Sequence, residues 1–322
     1  DNTHMAISDA MNEIDGISCI YQIAYDGYRA IECRVKSDVS FIFSNLSSES
    51  VLNDFSESSY QVITGYTKDH AKPLLKNSAL ELRQKIISNG ASKIIAALDE
   101  NNGYDMRWHT GVEWQQENYV KLIDQLFKDN SLGLIFKPKH GLTLRSRLGE
   151  EVYKYIEKAK KTGRCIVLDD SFEDSYLSSA PPMLAALSSD ICIHGHFGTA
   201  SMECALAGMP TLVVDREVSP SHNFYQYLKK DEVIFSNWDD AIYAGNEFLN
   251  SKSDNQEIGN WKKMLEALDP FCDGKGSFRM GSYLNYLKEG YELGMSKKQV
   301  LERALEIYSK KWGSDKIIQT EA

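Results

Sequence analysis

"DICIHGHFGTASMECALAGMPTLVVDRE", residues 190 to 217, decides the architecture of this chain. A short β-rich run, "DICIH", enters a turn bearing Gly195 and Gly198, and the small residues that follow have the spacing of a helix. A second apolar run, "PTLVV" at 210–214, then ends in charge at Asp215, Arg216 and Glu217. Strand, tight turn, helix and strand in this order are the repeating unit of an α/β sheet.

Reading outward, the same alternation holds from Lys93 onward. Further β-rich runs are "KIIAAL" (93–98), "LGLIFK" (132–137), "RCIVL" (164–168) and "EVIF" (232–235). Between the first two, "WQQENYVKLIDQLFK" puts Tyr119, Leu122, Ile123, Leu126 and Phe127 on one helical face. "LGEEVYKYIEKAKKTG" (148–163) predicts another helix, closed by Gly163. The runs are apolar throughout rather than alternating, as in strands covered on both faces. Six such strands separated by helices predict a doubly wound, Rossmann-like parallel sheet over residues 71–250.

The flanks differ. Residues 6–70 offer three strand-like runs, "ISCIYQIAY", "DVSFIF" and "YQVIT", with a polar connector at 45–59, and read as a partial N-terminal α/β segment. "PLLKNSALELRQKIISNG" then forms a helix ending at Gly90. Residues 251–322 read as a helical extension with no further strand, and "KKQVLERALEIYSKKW" carries an apolar stripe that packs back on the domains. The opening "DNTHM" (1–5) reads as a vector remnant, and the chain is expected to be cut from a longer one.

Composition excludes some classes. A net charge of −10 over 322 residues argues against a general nucleic-acid binder. The apolar runs fall far short of the ~20 residues needed to span a bilayer. Six scattered cysteines without a CxxC pair predict reduced core thiols in the cytoplasm.

In an open parallel sheet, ligands bind beyond the carboxyl ends of the strands. Here those positions are polar: Asp99, Glu100 and then His109; Lys137, Lys139 and His140; Asp169, Asp170 and Ser171; and His194 through Ser201. Gly195 and Gly198 permit close backbone approach, and Thr199 or Ser201 is expected to cap the next helix, whose amino end suits phosphate. The dinucleotide spacing GxGxxG is absent, which disfavours NAD. His194 and His196 leave three readings open: a shared metal, rings satisfied by backbone carbonyls, or a phosphate or sugar contact. No cluster supplies further metal ligands, so no metal is expected. Glu203, read as lying on the first turn of that helix, either accepts the hydroxyls of a ribose or compensates the helix dipole. Asp99, Glu100 and His109 are candidates for acid–base work; a strand-end turn and packing beside Trp108 are their structural alternatives.

These residues resemble a family. The 190–217 stretch looks like the donor-binding motif of the C-terminal domain of GT-B-fold glycosyltransferases. "YQVITGYTKDH" with "ELRQKIISNGASKIIAALDEN" resembles their passage from N-terminal domain to first C-terminal strand. "IFKPKHG" resembles the basic segment of bacterial surface-polysaccharide transferases, with Lys139-His140-Gly141 where a His-Pro would stand. "DPFCDGKGSFRMGSYLNYL" is similar to the closing helices of the Kdo-, sialate- and polyol-phosphate transferases.

The resemblance implies a metal-independent hexosyl- or nonulosonyl-type transferase without a cofactor. Its donor is a nucleotide sugar and its acceptor a surface saccharide or glycolipid, met in the cytoplasm or at the inner membrane's cytoplasmic face. Acceptor binding is expected to need more N-terminal domain than the chain carries. In this reading Asp99, Glu100 and His109 are catalytic. Lys137, Lys139, His140, His194, Gly195, His196, Gly198, Thr199, Ser201 and Glu203 bind the donor. A nucleotide-sugar 2-epimerase, or a non-catalytic nucleotide-sugar-binding fragment of a larger transferase, is the alternative.

Overall fold

The computed structural model describes residues 3–25, 34–48, 56–100, 111–168, 180–216, 222–251 and 257–320. In chain order these form α1 (Thr3–Glu13), β1 (Cys19–Tyr21), β2 (Lys36–Ile42), β3 (Glu57–Ile63) and α2 (Ala71–Ile87). Then come β4 (Lys93–Leu98), α3 (Val112–Lys128), β5 (Leu132–Lys137), α4 (Leu144–Lys160), β6 (Cys165–Val167) and α5 (Pro182–Leu187). β7 (Ile191–His194), α6 (Thr199–Leu206), β8 (Thr211–Val214), β9 (Ile234–Phe235) and α7 (Trp238–Asn250) follow. The chain closes with α8 (Lys262–Leu268), α9 (Gly276–Glu292), α10 (Lys297–Trp312) and β10 (Ile317–Gln319). Two compact units result: Lys72–Lys263, and Asp1–Ala71 with Met264–Ala322.

The Lys72–Lys263 unit is the doubly wound sheet. Its six strands run parallel in the order β6-β5-β4-β7-β8-β9. The sequence winds outward from β4 to one edge, returns, and winds outward from β7 to the other, so the direction reverses between β4 and β7. Along "KIIAAL" the side chains alternate between two cores. Ile95 and Ala97 pack with Leu122, Leu126, Leu148, Ile156 and Trp238 from α3, α4 and α7. Ile94, Ala96 and Leu98 pack with Ile86, Met183 and Cys204 from α2, α5 and α6. Both faces are covered, which is why each strand is apolar throughout.

The second unit has a four-stranded sheet, β1-β2-β3-β10, parallel except where β10 runs antiparallel to β3. Val39, Phe41 and Val62 pack under Tyr283, Leu287, Val300, Ala304 and Tyr308 of α9 and α10. The helices of residues 251–322 thus complete the N-terminal sheet. β10 corrects the expectation of no strand beyond 251: three residues, "IIQ", are too short to show an alternating pattern. Helix α1 begins at Thr3, within the stretch set aside as a remnant.

Gly133 in β5 marks a tight layer contact. A β-carbon there would lie 2.4 Å from Cγ2 of Ile86 and 3.2 Å from the β-carbon of Ala91. Gly133→Ala is therefore expected to destabilise the chain by about 1–3 kcal/mol in urea denaturation, by overpacking. The cost should shrink in an Ile86→Ala background; an equal cost in both backgrounds would mean that this contact does not set it.

Candidate functional site at the sheet switch

Register builds the site. Leu98, the last residue of β4, lies between Lys137 of β5 and His194 of β7. Asp99, Glu100, the loop from Pro138 to His140, and the turn 194–198 therefore meet at one carboxyl edge, where the winding reverses.

Asp99 is the buried centre of this edge. It accepts hydrogen bonds from the Tyr119 hydroxyl at 2.9 Å, the Lys139 backbone N–H at 2.5 Å and Arg147 Nη2 at 3.2 Å. Burial pushes its carboxyl above the ordinary range, and the Arg147 guanidinium works against that shift. Burial also raises the Tyr119 hydroxyl, which keeps it a donor. Arg147 binds onward: Nη1 donates to the Glu100 carbonyl at 3.2 Å and Nη2 to the His140 carbonyl at 3.3 Å. One buried guanidinium thereby ties the β4 loop to the β5 loop. Through these bonds Asp99 positions both loops.

Glu100 is on the open side. Its Oε2 lies 2.6 Å from Lys139 Nζ, and its Oε1 lies 3.3 Å from His194 Nε2. The latter is an ion-pair distance without the alignment of a hydrogen bond, and among the described residues neither nitrogen of the fully buried His194 ring has a hydrogen-bond partner. Burial pushes the Glu100 carboxyl up, but His194 and Lys139 together outweigh it and hold it at about 2.

The turn after β7 is shaped by space. Gly198, the N-cap of α6, has φ 177°, which any residue adopts. A β-carbon on it, however, would lie 3.1 Å from Glu100 Oε1 and 3.4 Å from His194 Cε1. At Gly195 it would lie 3.2 Å from Asn118 Nδ2 and 3.3 Å from the Trp238 ring. Phe197 anchors the turn, stacked on His222 at 4.6 Å and edge-on to Phe224 and Tyr225. The N-cap of α6 is Gly198, not Thr199 or Ser201, and the Ser201 hydroxyl donates to the Gly198 carbonyl at 2.8 Å. With glycine as its N-cap, α6 turns the positive end of its dipole toward this edge without a cap from that residue's own side chain.

The remaining candidates separate. Lys137 is buried, and its ammonium donates to the Pro138 carbonyl. Lys139 and His140 are exposed, while His196 and Thr199 are half-buried. Glu203 lies on the second turn of α6, not the first, and is buried. His109 lies outside the described residues, as do Asp169, Asp170 and Ser171.

Sequence reasoning missed Arg147, Asn118 and Trp238. Trp238 Nε1 is buried beside Gly195 with no hydrogen-bond partner among the described residues, and Asn118 accepts from Arg216 at 3.2 Å. With Asp99, Gln115 and Tyr119 they line a small recess behind the switch. Among the described residues, no group of three or more His, Cys, Asp or Glu side chains converges as a metal site. No described helix is long and apolar enough to cross a membrane.

Replacing Arg147 tests the clamp. Arg147→Met leaves the buried Asp99 carboxylate without its counter-charge and is expected to cost about 3–5 kcal/mol in urea denaturation. The Asp99→Asn, Arg147→Met double variant should cost less than the two single changes together. Additive losses would show that the two groups do not act as a pair.

No family model matches the sequence. No curated protein matches it either. Among solved structures, a variant of the wall teichoic acid polymerase TagF is similar at 12% identity and a TM-score of 0.50, covering 80% of this chain and 60% of that one. S. aureus MnaA bound to UDP matches at 19% identity and TM-score 0.49, over 79% of this chain and 61% of that one. The Methanocaldococcus jannaschii UDP-GlcNAc 2-epimerase, with UDP-GlcNAc and UDP, matches at 16% and 0.48, over 78% and 61%. The chain spans about 60% of the length of these structures. At such identities the likeness is one of fold alone, a Rossmann-like GT-B fold.

Proposed function

We propose that this chain binds a nucleotide sugar at the switch between β4 and β7 and transfers the sugar to a bacterial surface saccharide or glycolipid, without a metal or cofactor. The observation that carries this reading is that Gly198 at the start of α6, Lys139 and His194 all meet around Glu100. Sugar transfer from a nucleotide leaves negative charge on phosphate. A helix amino end and a flexible ammonium are groups that stabilise such charge as it develops.

In this reading the Gly195–Ser201 turn, Lys139 and His140 hold the phosphates. Glu203, one turn into α6, takes the ribose hydroxyls. Lys137 supports the loop through its contact with Pro138. The acid–base group acting on the acceptor hydroxyl belongs to the loop after β4, at Glu100 or His109, while Asp99 and Arg147 fix where that loop begins.

Incubation with CMP-, UDP-, CDP- and GDP-sugars and an oligosaccharide acceptor tests the reaction. Transfer to the acceptor supports the reading, whereas formation of an epimer, or binding without turnover, contradicts it. Lys139→Ala should weaken nucleotide binding by about 1–3 kcal/mol, roughly tenfold or more, through loss of a charged hydrogen bond. Unchanged affinity would remove the phosphate from this place.

A further inference from the structure

The start of α6 already faces an anion that belongs to the chain itself. The Glu100 carboxylate lies against two groups at once, Lys139 Nζ at 2.6 Å and His194 Nε2 at 3.3 Å, beside the N-cap of the helix. How near the helix start lies is shown by Gly198, where an added β-carbon would sit 3.1 Å from Glu100 Oε1. An ammonium, an imidazole and a helix amino end are also the groups that a ligand phosphate would use. His194 adds an independent sign of a site. It is fully buried, neither ring nitrogen has a hydrogen-bond partner among the described residues, and Nε2 lies 3.3 Å from the Glu100 carboxylate.

A carboxylate and a phosphate cannot both hold Lys139 at close range without mutual repulsion, which is strong where burial lowers the effective dielectric. Glu100 has 16% side-chain exposure, so this pair is only weakly screened by water. Lys139, with 51% side-chain exposure, has room to exchange partners.

We propose that Glu100 is a built-in competitor for the anionic group of the ligand, its carboxylate standing in the phosphate position until a phosphate displaces it from Lys139 and His194. The inference rests on the reading of this edge as a phosphate site. Its consequence is selectivity. A singly charged anion gains little by replacing a carboxylate already in place, whereas a diphosphate brings more charge and more acceptor oxygens and wins the exchange. The low proton affinity of Glu100 accords with this, since the carboxylate stays charged throughout the neutral range.

Calorimetric titration with inorganic pyrophosphate, on the full chain, tests the proposal. Wild type, Glu100→Gln, Glu100→Ala, Lys139→Ala and the Glu100→Gln, Lys139→Ala double variant are compared, each first shown to be folded by its urea transition. Both Glu100 variants are expected to bind pyrophosphate at least tenfold more tightly than wild type, and Lys139→Ala at least tenfold more weakly. The Glu100→Gln gain should largely vanish in the Lys139→Ala background, because the competition is for that ammonium. Glu100 variants that bind no tighter, alongside a weakened Lys139→Ala, would overturn the competitor and leave the phosphate site standing. A gain that persists in full without Lys139 would also overturn it, since it would reflect only the removal of a nearby negative charge. Affinity that is the same in all five proteins, or absent from all, would remove both the site and the competitor.

Discussion

The buried contact between Asp99 and Arg147 is the constraint on which the rest of the site depends. A carboxylate at the carboxyl end of a central strand is costly unless donors converge on it, and here a hydroxyl, a backbone amide and a guanidinium do so. Because the amide is that of Lys139, satisfying Asp99 also fixes where the β5 loop leaves the sheet. Because the guanidinium also binds the Glu100 and His140 carbonyls, the same interaction sets the position of the β4 loop. The Glu100–Lys139 pair thus stands on loops that the buried pair holds in place.

Across the switch, β7 supplies the opposite wall. Its turn is built by exclusion: Gly195 lets Asn118 and Trp238 approach from one side, and Gly198 lets Glu100 and His194 approach from the other. A side chain at either glycine would push the helix start away from the groups that face it. Phe197 packs among His222, Phe224 and Tyr225, so the turn is pinned from behind. The edge therefore sets a helix start, held by close packing, beside a mobile ammonium whose backbone is fixed by Asp99.

Much of this was legible in the sequence, for identifiable reasons. Strands buried on both faces announce themselves as unbroken apolar runs, and all six were found in place. The stripe of Tyr119, Leu122, Ile123 and Leu126 gave α3 its buried face. Arg147 was invisible because an arginine in "LTLRSRLGEE" reads as solvated, and the bend that sets its turn apart is a single residue, Gly149, with φ of 78°. Trp238 and Asn118 were missed because their role is to touch a glycine far away in sequence, a relation no local pattern carries. The N-terminal sheet looked incomplete because the helices that cover it lie more than two hundred residues downstream. Asp99 and Glu100, adjacent and alike in sequence, were separated only by burial and partners.

The central claim is that an anionic ligand is held between the start of α6 and the β5 loop. Hydrogen–deuterium exchange at single-amide resolution tests it most directly, with and without a saturating nucleoside diphosphate. The account predicts slowed exchange at the amides of 199–202 and 139–140, with little change along β6 or β9. Protection confined to other parts of the chain, with the amides of 199–202 exchanging as before, would contradict it.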